Sequence, residues 1–87
     1  MNKKEFIGDL ANELAEKGET MDFRQVASAL NASGYKTSYN ENYQGLRGTA
    51  TLISKAWKYF AKKQDAYTAN NIATVFKDLN GNCPWDF

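Results

Sequence analysis

The segment 21–35 carries signals for both ends of a helix, and they constrain the fold more than any other feature of the sequence. Asp22 is a typical N-cap residue, and Gln25, three residues later, can bond back to the Asp22 backbone. At the other end, Gly34 suits the left-handed backbone that follows a last helical turn. We therefore predict a helix over 22–33.

Apolar residues recur at helical spacing in three further segments, over 3–17, 48–64 and 67–79. Gly18 is a suitable stop for the first of these, and Thr68 is a candidate cap for the last. A chain of 87 residues with 43% hydrophobic residues can bury one small core. We expect a single all-α domain of four helices.

The stretch 35–47 is polar, contains three tyrosines and shows no helical pattern. Two interpretations remain open for it: a short β-hairpin that turns at 40–42, or an ordered loop. The C-terminal tail, 83–87, contains Trp85 and Phe87, which either pack on the domain or dock on a partner.

The sequence lacks residues that several classes of function need. The chain has no histidine and one cysteine, so it offers neither a zinc site nor the commonest general base. No phosphate-binding glycine motif is present. We therefore expect a protein that is not an enzyme and uses no metal or cofactor. Without an apolar span or an internal disulfide, we expect no membrane insertion and a cytoplasmic location.

The segment 46–64 contains five basic residues and no acidic residue, although the net charge of the whole chain is only +1. On a helical wheel its apolar residues cluster opposite a basic and hydroxyl face. The candidate nucleic-acid-binding residues on that face are Arg47, Thr51, Ser54, Lys55, Lys58 and Lys62. Two alternatives stay open: a helix that is merely solvated, or pairing of these cations with the acidic first helix.

The segment 22–37, DFRQVASALNASGYKT, resembles the helix and turn in the DNA-binding region of large serine recombinases. In those proteins a similar R-Q-[IV]-A-x-x-L-N-x-x-G-[IY]-x-T run precedes the next helix. The resemblance implies a helix-turn-helix-like layout, in which the reading helix carries Arg47, Thr51, Ser54, Lys55 and Lys58. The connection to that helix is long, and 87 residues leave no room for a recombinase catalytic domain. Only the DNA-binding layout carries over.

From the basic face and this layout, we expect a small regulator or accessory protein of the kind found on mobile elements. It would bind duplex DNA and act as a homodimer, because one small module buries little surface on DNA. The alternative is a protein–protein interaction module, an inhibitor or an adaptor. Its partner-binding residues would be Tyr39, Tyr43, Trp85 and Phe87, since aromatic side chains suit interfaces.

Overall fold

The computed structural model of the protein describes residues 2–44 and 47–82, and Arg47 by its backbone alone. This part of the chain forms four helices, α1 (Lys3–Lys17), α2 (Phe23–Ala32), α3 (Arg47–Lys62) and α4 (Ala66–Val75). The predicted all-α fold class is confirmed. No helix within these described ranges is long and apolar enough to cross a bilayer. The predicted packing of the 83–87 tail lies outside the described residues.

The centre of the fold is α1, which packs along both α3 and α4, and these two helices also pack on each other. The side of α1 that faces them carries Ile7, Gly8, Ala11 and Leu14, which are all buried. The acidic residues Asp9, Glu13 and Glu16 are exposed, so burial in α1 follows the helical spacing of its apolar residues. The other helices complete the core with Val26, Leu30, Ile53, Ala56 and Ile72.

Gly8 allows the aromatic ring of Phe60 to lie directly on the backbone of α1. A Cβ atom added at Gly8 would overlap the Cε2 and Cζ atoms of Phe60 and would lie 3.0 Å from Thr68 Cγ2. A glycine in a helix interior costs about 1 kcal/mol relative to alanine. Here that cost is offset by the close packing of α3 and α4 against α1.

The predicted ends of α2 are confirmed. The Asp22 carboxylate accepts from the Gln25 N–H, and the Gln25 side chain accepts from the Asp22 N–H, both at 2.9 Å. After the last turn, Gly34 has a φ of +83°. The Tyr35 N–H then donates to the Leu30 carbonyl at 3.0 Å, and the Tyr35 ring packs against the core. Local hydrogen bonds therefore determine both ends of this helix.

A parallel strand pair, β1 (Met21–Asp22) and β2 (Phe76–Lys77), joins the start of α2 to the end of α4. Sequence patterns do not predict it, because two residues are too few to show alternation. Phe76 is fully buried and adopts an extended backbone, with φ −96° and ψ 124°. For this reason α4 ends at Val75, and the predicted extension of this helix to residue 79 is wrong.

The connection between α3 and α4 is short and fixed by local bonds. Gln64 has a left-handed φ of +60°, and the Asp65 N–H donates to the Phe60 carbonyl at 2.9 Å. Asp65 is the N-cap of α4, because its carboxylate accepts from the Thr68 N–H at 3.2 Å. Thr68 is therefore not the cap that we predicted. Its buried hydroxyl donates to Asp65 at 2.8 Å and accepts from Asn12 of α1 at 3.0 Å.

The chain between α2 and α3 forms an ordered loop over its described residues, with no hairpin there. Asn31 of α2 anchors the loop, because its side-chain amide donates to the Tyr43 carbonyl and accepts from the Tyr43 N–H, both at 2.8 Å. At the tip, the Thr37 hydroxyl accepts from the Tyr39 N–H at 3.2 Å. Side-chain bonds from Asn31 and Thr37 therefore join the backbone bonds at the tip, such as that from the Thr37 N–H to the Glu41 carbonyl, in ordering the loop.

We predict that Gly8→Ala lowers the free energy of unfolding by about 1 kcal/mol, as measured by urea denaturation followed by circular dichroism. Displacement of the Phe60 ring costs about 1–3 kcal/mol, and the better helix propensity of alanine offsets part of that cost. The control is Gly48→Ala on α3, where an added Cβ meets no atom within 4 Å. An equal loss of stability in both variants would contradict the packing role of Gly8.

We also predict that Asn31→Ala lowers the free energy of unfolding by about 2 kcal/mol. The substitution leaves the N–H and carbonyl of Tyr43 without their side-chain partner in a partly buried position. Hydrogen exchange should show faster exchange of the Tyr43 amide. The matched control is Asn70→Ala on the exposed side of α4, which should change stability by less than about 0.5 kcal/mol. Protection of Tyr43 that survives in Asn31→Ala would disprove the anchoring role.

Candidate nucleic-acid interface

The folded α3 has two distinct sides. Ile53 and Ala56 are fully buried in the core, while Lys55, Lys58 and Lys62 are exposed. A helix rises 1.5 Å per residue, so these three lysines extend over about 10 Å along one face. The face therefore presents a short row of cations with the spacing and accessibility to contact several phosphates.

The other predicted residues of this face differ in accessibility. Thr51 is exposed, whereas Ser54 is half-buried and offers less of its hydroxyl to a ligand. Arg47 begins α3, but its side chain lies outside the described part of the structure. Among the predicted residues of this face whose side chains the structure describes, three lysines and one threonine are exposed.

The acidic first helix does not neutralise these cations. Glu13 pairs with Lys17 of the same helix at 2.9 Å. The Glu5 carboxylate accepts from the Asn2 N–H at 3.4 Å, as one half of the capping box of α1. Among the described residues, no carboxylate lies within 4.0 Å of a lysine on the exposed face of α3. The charge of that face is therefore available to an external anion.

The first turn of α1 adds two lysines that the sequence patterns did not point to. Lys4 lines a groove together with Lys55, Lys58 and Lys62, and Lys3 lines the adjoining groove together with Lys4 and Lys55. These residues lie far from α3 in the sequence, so no local pattern relates them to it. The packing of α1 against α3 places all of these ammonium groups on one side of the molecule.

Tyr59 lies among these cations. The ammonium groups of Lys4 and Lys63 lie 5.5 Å and 4.5 Å from the centroid of its ring, within the range of cation–π attraction. The Tyr59 hydroxyl beside it raises the pKa of Lys63, and the carboxylates of Glu5 and Asp65 add smaller contributions in the same direction. We name this cluster the basic surface, and its members are Lys3, Lys4, Lys55, Lys58, Lys62 and Lys63.

The shape of the basic surface suits an extended ligand. Its two grooves have volumes of about 480 Å³ and about 390 Å³, and both are lined by Lys4 and Lys55. They are open to solvent and therefore do not enclose a small molecule as a typical ligand pocket does. A polyanion lying across both grooves would meet successive cations.

The two described residues of the alternative protein interface differ in accessibility. Tyr39 is 85% exposed, whereas Tyr43 is only 7% exposed and belongs to the core cluster. The prediction of Tyr43 as an accessible docking residue is therefore wrong, because Asn31 holds its backbone against α2 and its ring packs inward. Trp85 and Phe87 lie outside the described residues.

The arrangement of α2 and α3 differs from a helix-turn-helix in two respects. The connection between them covers 33–46, which is longer than the turn of three or four residues in a helix-turn-helix. The main packing partners of α3 are α1 and α4 rather than α2. The position of α3 at the surface thus results from its contacts with α1 and α4.

Comparison with known proteins adds no relative to this description. The chain matches no protein-family model, no curated protein and no solved structure. The resemblance of 22–37 to large serine recombinases therefore stays a prediction. A function for the basic surface follows only from its geometry and charge.

Proposed function

We propose that the protein binds duplex DNA through its backbone phosphates, and that the basic surface is the contact. The observation that carries this proposal is the absence of any carboxylate within 4.0 Å of Lys55, Lys58 or Lys62 among the described residues. A merely solvated helix usually mixes both signs of charge, whereas a surface that meets DNA must keep carboxylates away from phosphates.

The chemistry of the side chains points to phosphate contacts rather than base reading. Lysine is a point charge on a flexible stem, while bidentate recognition of bases depends mainly on Arg, Asn and Gln. The basic surface consists of lysines, and the nearby exposed Thr51 can add a phosphate contact through its hydroxyl. Binding of this kind is strongly dependent on salt and discriminates weakly between sequences.

A membrane surface fits less well as the anionic partner. Basic helices that lie on membranes bury an apolar face in the lipid. The apolar side of α3 is already committed to the core, since Ile53 and Ala56 have no exposed surface. Insertion of α3 into a bilayer would therefore require the domain to unfold.

A role as a regulator or accessory factor, and association as a homodimer, belong to the same proposal. A single basic surface of this size can neutralise only a few phosphates, and a second copy would double that number. The increase in salt dependence would be proportional to the added contacts.

We predict that Lys55→Gln combined with Lys58→Gln weakens binding to a blunt DNA duplex about tenfold or more at low salt. The slope of log affinity against log salt concentration should fall in magnitude by about 2, because each lost lysine–phosphate contact removes roughly 0.9 from it. Fluorescence anisotropy titrations at several salt concentrations measure both quantities.

The control is Lys17→Gln combined with Arg24→Gln, which changes the net charge equally but at exposed positions of α1 and α2 outside the basic surface. It should change the affinity by less than about twofold and leave the slope unaltered. If the two double variants weaken DNA binding equally, the binding depends only on the net charge of the protein and not on the basic surface. Tighter binding to anionic vesicles than to DNA at the same salt concentration would favour a membrane partner instead.

A further inference from the structure

A third depression adjoins the basic surface and differs from it in chemistry. It lies between the loop after α2 and the first turns of α3, with a volume of about 380 Å³, at the lower end of ligand-sized pockets. The residues that line it include the exposed Tyr39, the buried Tyr43, Lys3, Lys55 and Glu41. Two aromatic residues, two cations and one acid therefore meet at this place.

Hydrogen bonds within the loop fix the backbone on both sides of Tyr39. The Thr37 hydroxyl accepts from the N–H groups of Tyr39 and Glu41, both at 3.2 Å. The Thr37 N–H also donates to the Glu41 carbonyl at 2.9 Å, and Asn40 between them has a left-handed φ of +60°. The Tyr39 side chain is 85% exposed on this ordered backbone and is therefore accessible to a flat partner that stacks on its ring.

The distribution of charge determines which part of a nucleotide suits the pocket. Glu41 would repel a phosphate inside it, but a carboxylate can accept from the exocyclic amino group of a base. Lys3 and Lys55 belong both to this pocket and to the basic surface, so a phosphate held there would lie next to the pocket. The Lys3 ammonium is 5.6 Å from the centroid of the Tyr43 ring, within the range of cation–π attraction.

We propose that this pocket accepts one unpaired base of a DNA strand, stacked on Tyr39, while the flanking phosphates contact Lys3 and Lys55. The inference rests on the proposed function, because the basic surface supplies the phosphate contacts. The protein then prefers DNA with an unpaired nucleotide, at an overhang or gap, over a fully paired duplex. Stacking on an aromatic side chain changes affinity by about 5- to 100-fold per base.

The experiment compares three DNA probes with the same duplex, by fluorescence anisotropy at fixed salt. One is blunt, one carries a short single-stranded overhang, and one carries an overhang of equal length with abasic sites. We expect the normal overhang to bind about 5- to 100-fold more tightly than the abasic overhang. The abasic overhang has the same phosphates, so the difference between these two probes isolates the contribution of the bases.

Variants of the tyrosines identify the ring on which the base stacks. Tyr39→Ala should abolish the difference between normal and abasic overhangs, and Tyr39→Phe should keep it. The control is Tyr67→Ala, since Tyr67 is 58% exposed on α4 but does not line this pocket. Because Tyr39 is an exposed loop residue, its loss should leave the circular dichroism spectrum and thermal midpoint unchanged.

The outcomes separate the two proposals. The base pocket is overturned if normal and abasic overhangs bind with equal affinity, or if Tyr39→Ala keeps the preference for the normal overhang. In that case, salt-dependent binding of the blunt duplex still supports the proposed function. Binding of the normal overhang without binding of the blunt duplex supports the pocket and overturns the duplex proposal. Absence of binding to all three probes at low salt overturns both.

Discussion

The contact between the Phe60 ring and the α1 backbone at Gly8 is the interaction on which the rest of the structure depends. It brings α3 close to α1, and the same closeness places the first turn of α1 beside the lysines of α3. A side chain at residue 8 would displace the Phe60 ring from this contact. The packing of α3 against α1 therefore depends in part on one glycine.

The parts of the fold that depend on neighbours in sequence could be predicted. The ends of α2 follow from Asp22, Gln25 and Gly34, because each of their hydrogen bonds joins residues at most five apart. The apolar spacing likewise predicted which side of α3 is buried. These features need no information about the rest of the chain, since the bonds and the periodicity lie within one helix and its caps.

The features that escaped prediction depend on distant residues or on competition between similar groups. The sequence leaves a hairpin and an ordered loop open after α2, because the bonds from Asn31 to the backbone of Tyr43 leave no pattern in a sequence. Asp65 and Thr68 are both suitable caps, and only the structure shows that the carboxylate of Asp65 takes this role. Lys3 and Lys4 join the candidate site through tertiary packing alone, so local sequence patterns could not reveal their part in its charge.

The parallel pairing of Met21 with Phe76 has a consequence for the order in which the chain can fold. The N-terminal half contains two well-capped helices, but the strand at the start of α2 has its partner near the other end of the chain. During synthesis, α1 and α2 can form their internal hydrogen bonds before Phe76, which is fully buried in the complete fold, has been made. A partly synthesised chain therefore exposes apolar surface of the core until residue 76 has emerged.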